Sequence, residues 1–172
     1  MNPFRWSFRT QFLLGFAVCA GLIAYALYLQ LVQQLQPCPF CIFQRLSYAA
    51  LGVVFLAGGL LAPRAAGARR AWAVLALLPA LVGMGYAGRH VWVQLHPPPL
   101  PSCGPGLNFM VEQHSWLGAA RRVLLATGDC SNMDWSFLGL TMPMWSLLWF
   151  VLLAAWALQA GWRARPVYRF RR

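Results

Sequence analysis

Between Arg9 and Arg45 the chain runs without a single charged residue. An uninterrupted apolar stretch of that kind is long enough to cross a bilayer, which takes about 20 residues at ~1.5 Å rise. The spacing predicts a first membrane span over 12–32. Three more follow, over 42–62, 71–88 and 143–161. The segment 89–142 is different in kind. It holds all three acidic residues and the densest proline cluster, and it contains no apolar run long enough to cross. Composition agrees. Of the 172 residues 60% are hydrophobic and only 10% charged, whereas soluble domains carry about 25% charged residues. Three acids cannot furnish the polar shell of a soluble protein this size. The fold class expected is all-α, an integral membrane four-helix bundle in a single domain. A long extracytoplasmic loop joins its third and fourth helices.

The net charge of +11 comes wholly from arginine. So basic a chain raises the question of nucleic acid, but the positions of the arginines answer it. Ten of the 14 fall at Arg5 and Arg9, at Arg64, Arg69 and Arg70, and at Arg163, Arg165, Arg169, Arg171 and Arg172. Each group flanks an apolar run, which is how topology-setting charges are distributed, and no nucleic-acid partner is expected. The partner of the surface is the lipid bilayer. Four spans put both termini on one side, and the arginine-rich 63–70 link puts that side in the cytoplasm. The uncharged 33–41 loop and the long 89–142 loop then face outward. The first apolar stretch is too long for a typical signal-peptide core and lacks a clean small-x-small cleavage site, so it reads as a retained span.

Of five cysteines, Cys19 lies mid-span and reads as a small packing residue. Cys38, Cys41, Cys103 and Cys130 lie in the outward loops, on the side of a membrane where disulfides persist. Cys38-Pro39-Phe40-Cys41 is a C-x-x-C at the mouth of the second helix. Motifs of this kind favour the thiolate, most of all near a helix N-terminus. Arg45 stands four residues past Cys41, one turn deeper on the same face. A guanidinium at the apolar end of a span is costly unless paired, so a thiolate or a cofactor oxyanion is its expected partner. For Cys103 and Cys130, spacing is compatible with both a redox-active pair and a structural staple, worth about 3.5 kcal/mol by chain entropy. All four cysteines could also bind zinc. Structural zinc ribbons, however, usually bring two C-x-x-C knuckles, and these two residues are 27 positions apart. Redox chemistry is the preferred reading. The alternative is a non-enzymatic membrane module with structural disulfides or a four-cysteine zinc site.

The arrangement Pro37-Cys38-x-x-Cys41-Ile42-x-x-Arg45, then Gly128-Asp129-Cys130, then Trp135-x-Phe137-Leu138-Gly139-Leu140-x-Met142-Pro143-x-Trp145 resembles the bacterial disulfide bond formation protein B family. These are quinone-dependent thiol oxidases of the inner membrane. Vitamin K epoxide reductase-like proteins also use four-helix bundles, but carry their active C-x-x-C in a late span. The resemblance implies an enzyme that reoxidises a periplasmic DsbA-like dithiol oxidase and passes the electrons to a membrane quinone, ubiquinone or menaquinone. It implies that Cys103 receives the partner's thiol, and that Cys130 pairs with Cys103 at rest and later bridges to Cys38. Cys41 would be the thiolate facing the quinone. Arg45 would stabilise that thiolate and the reduced quinone, and His90 would lie near the quinone head. Gln44 and Arg89 depart from the pattern, standing where better-known relatives carry acids.

Two further expectations concern the outer side. The stretch 108–126 mixes Phe109, Met110, Trp116, Leu117 and Val123 with Glu112, Arg121 and Arg122, as would a short helix lying in the outer interface or packing under the loop. Trp135 and Trp145 bracket the start of the fourth span, either as headgroup-level anchors or as walls of a quinone pocket.

Overall fold

The computed structural model describes residues 6–34, 37–96, 118 and 136–163. Four helices dominate: α1 (Phe8–Val32), α2 (Pro39–Leu61), α3 (Ala66–Leu95) and α4 (Met142–Arg163). Each is long and apolar enough to cross a membrane. In hydrocarbon no water is available to backbone amides, and a helix satisfies them within its own segment. The side chains leave the same mark. Leu31, Val53, Leu60 and Leu78 are exposed, as suits residues facing lipid. The protein is a four-helix membrane bundle, as the apolar runs predict.

Helix ends follow local chemistry. Ser7 caps α1, its side chain accepting from the Thr10 amide at 3.3 Å. Cys38 is the N-cap of α2 and Pro39 its first residue, where proline's missing N–H costs nothing. Helix α3 continues past Gly88 to Leu95, so the stretch 89–95, read from its polarity as loop, forms two more helical turns. Arginine and histidine do not break helices, and after the internal Pro79 the next proline is Pro97. A two-residue ribbon, β1 (Ser136–Phe137) with β2 (Leu140–Thr141), leads into α4. Its turn, Leu138-Gly139, has φ of 53° and 78°, the left-handed pair of a type I′ hairpin. Cys103, Cys130, Trp135 and the expected helix over 108–126, Gly118 apart, lie outside the described residues.

Lipid is as apolar as leucine, so helix association rests on close packing. Here glycines on one helix receive aromatic rings from the next. A Cβ at Gly83 of α3 would stand 2.2 Å from the Phe150 ring of α4, and one at Gly58 of α2 would stand 2.7 Å from Phe12 of α1. Phe12, Phe55 and Phe150 are wholly buried, and Phe12 meets Phe55 edge-on at 5.1 Å. Near the end that holds the 62–65 link, the Trp156 indole donates to the Gln11 carbonyl at 2.9 Å. These contacts fix the axial register of all four helices, and so the positions of the side chains at the other end.

Gly83→Val therefore drives a branched side chain into Phe150. Overpacking of this kind costs about 1–3 kcal/mol, measurable as a lower midpoint of thermal unfolding in detergent. Gly85→Ala, which meets nothing within 4 Å, leaves the midpoint unchanged or slightly raised.

Candidate active site

The C-x-x-C motif sits at the end of the bundle opposite the 62–65 link. Cys38 at the N-cap and Cys41 three residues on both face the first turn of α2, beside the partial positive charge of its amides. Their sulfurs are 3.3 Å apart. A disulfide needs about 2.05 Å, so a small rotation of the side chains would close the bond. Proline at position 39 opens the helix while keeping φ helical, which holds the two thiols on the same turn.

Two environments meet at this dithiol. On one side lies His90, from the last turns of α3, only 3% exposed. Its Nε2 is 3.9 Å from Cys38 Sγ and its Nδ1 is 3.3 Å from the side-chain amide of Gln44. The Phe40 ring stacks on the imidazole at 5.2 Å. Gln44, one of the two departures noted in the sequence, is itself buried and lies on α2 one turn beyond Phe40. One helix thus presents a ring and an amide to a single histidine of its neighbour.

On the other side is a cavity of about 380 Å³, lined mainly by apolar residues of α1 and α4, among them Leu22, Met142, Trp145 and Trp149. Cys41, Gln44, Arg45, Tyr48 and Ser146 add polar groups to its wall. The guanidinium of Arg45 is held from α1: it donates to Gln30 Oε1 and, at 3.1 Å, to the Ala26 carbonyl. The charge therefore has protein partners without a thiolate or a bound anion. Tyr48 is anchored by donating to the Ser146 carbonyl of α4 at 3.0 Å. The ribbon closes one flank. Phe137 lines the cavity, and its carbonyl accepts from the Trp145 indole at 3.1 Å.

The site residues expected from the sequence are thus brought together in part. Cys38, Cys41, Arg45 and His90 converge, while Cys103 and Cys130 lie outside the described residues. His90 faces Cys38 and Gln44 and is not among the residues lining the cavity. Trp145 does line it. Gln30 was not anticipated. Its signal was present, since it is the only amide side chain between Gln11 and Gln33 in an otherwise apolar helix. Cys19 is buried at 1% exposure in the packed centre of the bundle, away from the dithiol.

A four-span bundle carrying a close dithiol at one end, beside an apolar cavity, has the build of a membrane thiol–disulfide oxidoreductase. The sequence profile of the family described as "Disulfide bond formation protein DsbB" matches residues 8–160. Similar chains include a protein of Xanthomonas oryzae pv. oryzae (strain MAFF 311018), 61% identical over 166 residues and 96% of each chain. Another, from Xanthomonas campestris pv. campestris (strain 8004), is 59% identical with the same coverage. A third, from Xylella fastidiosa (strain 9a5c), is 52% identical over 95% of each chain. All three are named "Disulfide bond formation protein B". The chain belongs to the disulfide bond formation protein B family.

Burial separates the cysteines chemically. In a Cys103→Ser/Cys130→Ser chain, reduced and kept folded in detergent, a bulky maleimide is expected to modify Cys38 or Cys41 and to leave Cys19 intact until the protein is unfolded. Peptide mass mapping reads the difference directly.

Proposed function

We propose that this protein is a quinone-dependent thiol oxidase of the bacterial inner membrane, which reoxidises a DsbA-like dithiol protein in the periplasm. Both termini are cytoplasmic in this reading. The arginines at 64, 69 and 70 lie at the end of the bundle away from the dithiol, and positive charge marks the cytoplasmic side. The dithiol then faces the compartment in which disulfides persist.

The observation that carries the reading is the position of Cys41 on the wall of an apolar cavity that also holds Arg45 and Trp145. An aromatic ring bearing two carbonyl oxygens fits such a space. Trp145 and Trp149 offer flat apolar surface, and the Arg45 guanidinium, Tyr48 and Ser146 offer polar groups for the oxygens. A quinone, when bound, supplies the two-electron acceptor.

The chain's own residues do the rest. Closing the Cys38–Cys41 bond from two thiols releases two electrons and two protons. The electrons leave from the side of Cys41, which adjoins the cavity. Cys38 lies on the other flank beside His90, whose Nε2 is placed to exchange a proton with that sulfur. Arg45, held by Gln30 and the Ala26 carbonyl, contributes fixed positive charge where negative charge develops, with no reorganisation at the moment of reaction. The oxidised pair is passed outward by thiol–disulfide exchange. The outer-loop cysteines Cys103 and Cys130 are proposed to carry the exchange, with Cys130 bridging to Cys38 and Cys103 receiving the reduced partner.

Anaerobic mixing of the solubilised protein with a reduced DsbA-like partner and quinone tests this, with quinol formation followed optically. Cys41→Ser is expected to abolish quinone reduction. Cys103→Ser is expected to block oxidation of the partner while a small dithiol still drives quinol formation. Quinol formation undiminished in Cys41→Ser would overturn the assignment.

Gln30→Leu removes one of two partners of the Arg45 guanidinium. Loss of a hydrogen bond to a charged group is worth about 1.5–3 kcal/mol. The expected result is roughly a tenfold or greater rise in the KM for quinone, about 1.4 kcal/mol per factor of ten, with the rate of partner oxidation at saturating quinone less affected. Gln33→Leu, exposed at the end of the same helix, leaves both unchanged.

A further inference from the structure

Cys38, Cys41 and His90 form a cluster whose geometry has a second use. Their ligand atoms all lie within 4.8 Å of one another. The sulfurs are 3.3 Å apart, and Cys38 Sγ is 3.9 Å from His90 Nε2. In a tetrahedral zinc site with bonds of about 2.3 Å to sulfur and about 2.0 Å to nitrogen, ligand edges are about 3.8 Å and about 3.5 Å. The Cys38–Cys41 and Cys38–His90 edges match these to within half an ångström, while all three ligand atoms lie within 4.8 Å, so the Cys41–His90 edge shortens as the ion is bound.

The surroundings fit as well. A metal-bound histidine ordinarily donates its other ring N–H to a neighbouring acceptor, which fixes its tautomer and orientation. Here that nitrogen is Nδ1, and Gln44 lies 3.3 Å from it. An amide presents an oxygen or an NH₂ group by a half-turn that leaves its shape unchanged. With Oε1 turned to Nδ1–H, the Nε2 lone pair faces the two sulfurs. Phe40 stacked on the ring keeps it in that plane. Three ligands from the described residues leave a fourth tetrahedral position open to a further ligand or water.

We infer that the reduced Cys38–Cys41 dithiol and His90 form a three-ligand site for a thiophilic divalent cation of the zinc class, and that the ion holds the redox centre in its dithiol form. Binding displaces two protons, one from each thiol, and moves no electron. Coordination draws on the electron density of both sulfurs and holds them at ligand spacing, so the metal-bound pair is oxidised only as the ion is released and turnover slows. Conversely, the disulfide has no thiolate to offer and releases the ion. The cation is a competitor of the reaction and not a cofactor of it. The binding rests on the cluster's geometry alone, whereas its consequence for turnover rests on the thiol-oxidase reading.

The test uses the full-length chain in detergent with Cys103→Ser and Cys130→Ser, so that no outer-loop thiol contributes. Zinc alone is titrated against a chromophoric chelator, with neither quinone nor partner present. One equivalent is expected to bind the reduced protein and none the oxidised protein. Cys38→Ser should abolish binding, and His90→Ala should weaken it at least tenfold. Gln44→Leu should weaken it about tenfold, as loss of such an outer partner does, while Gln44→Glu, which keeps an acceptor, should restore it. Cobalt in place of zinc should show thiolate-to-metal charge-transfer absorption that disappears in Cys38→Ser. In the unsubstituted reduced chain, bound zinc should protect Cys38 and Cys41 from alkylation, a readout that needs no variant to fold. Failure of the reduced protein to bind zinc at micromolar concentration would overturn the inference. So would equal binding by the oxidised form or an affinity unchanged in His90→Ala. Because quinone is absent throughout, these outcomes are independent of whether the chain reduces one.

Discussion

Helices in lipid gain nothing from merely being apolar, so everything at the reactive end of this protein depends on how closely the four can approach. Glycine set against an aromatic ring is the device used. Phe150 lies where a side chain at Gly83 would be, and Phe12 occupies the same relation to Gly58. Each such fit works at one axial register and rotation only. Sliding α3 by a single residue against α4 would turn Gly83 away and bring a bulkier side chain to Phe150. The packed centre thereby transmits a fixed geometry to the end of the bundle, where His90 of α3 must meet Cys38 at the head of α2.

At that end the polar groups are few and mutually committed. Arg45 is tied to α1 by Gln30 and the Ala26 carbonyl, and His90 meets Gln44. The Thr141 hydroxyl donates to the Gln94 side chain at 2.8 Å, joining the ribbon to α3. Near the bilayer an unpaired donor or acceptor costs several kcal/mol, so each pairing restrains two elements at once. The polar contacts thus add orientation to an assembly whose spacing is already set by packing.

Much of this was legible in the sequence because the bilayer imposes one dominant rule. Long apolar runs marked the four helices, and C-x-x-C ahead of a span located the dithiol. What escaped was mostly contact between helices. The extension of α3 to Leu95 was hidden because Arg89 and His90 look like loop in a hydropathy reading, although neither opposes helical backbone. Gln30 was hidden because its role exists only once Arg45, 15 residues later, is packed against it. The contact of the His90 ring with Cys38 and Phe40 was hidden for the same reason, since it joins α3 to the head of α2. No pattern within one helix encodes which flank of the dithiol a residue from another helix will occupy.

In the proposed thiol-oxidase reaction that flank matters because it would separate two chemistries. Thiol exchange with a soluble protein needs a sulfur that water and a second thiolate can reach, together with a group able to move a proton. Electron transfer to a lipid-borne acceptor needs the opposite, an apolar space closed to water. A single thiol cannot serve both without exposing the acceptor site. Two thiols 3.3 Å apart can, provided that they lie on either side of a partition, and here the turn of α2 and its buried Gln44 form it. Cys38 has histidine for a neighbour, whereas Cys41 has the cavity and its fixed positive charge. The sulfur–sulfur bond would then carry an electron pair from the histidine flank to the cavity flank. On this view the C-x-x-C spacing is a structural requirement. A helical turn is the shortest segment of backbone that puts two side chains in contact while pointing them into different surroundings.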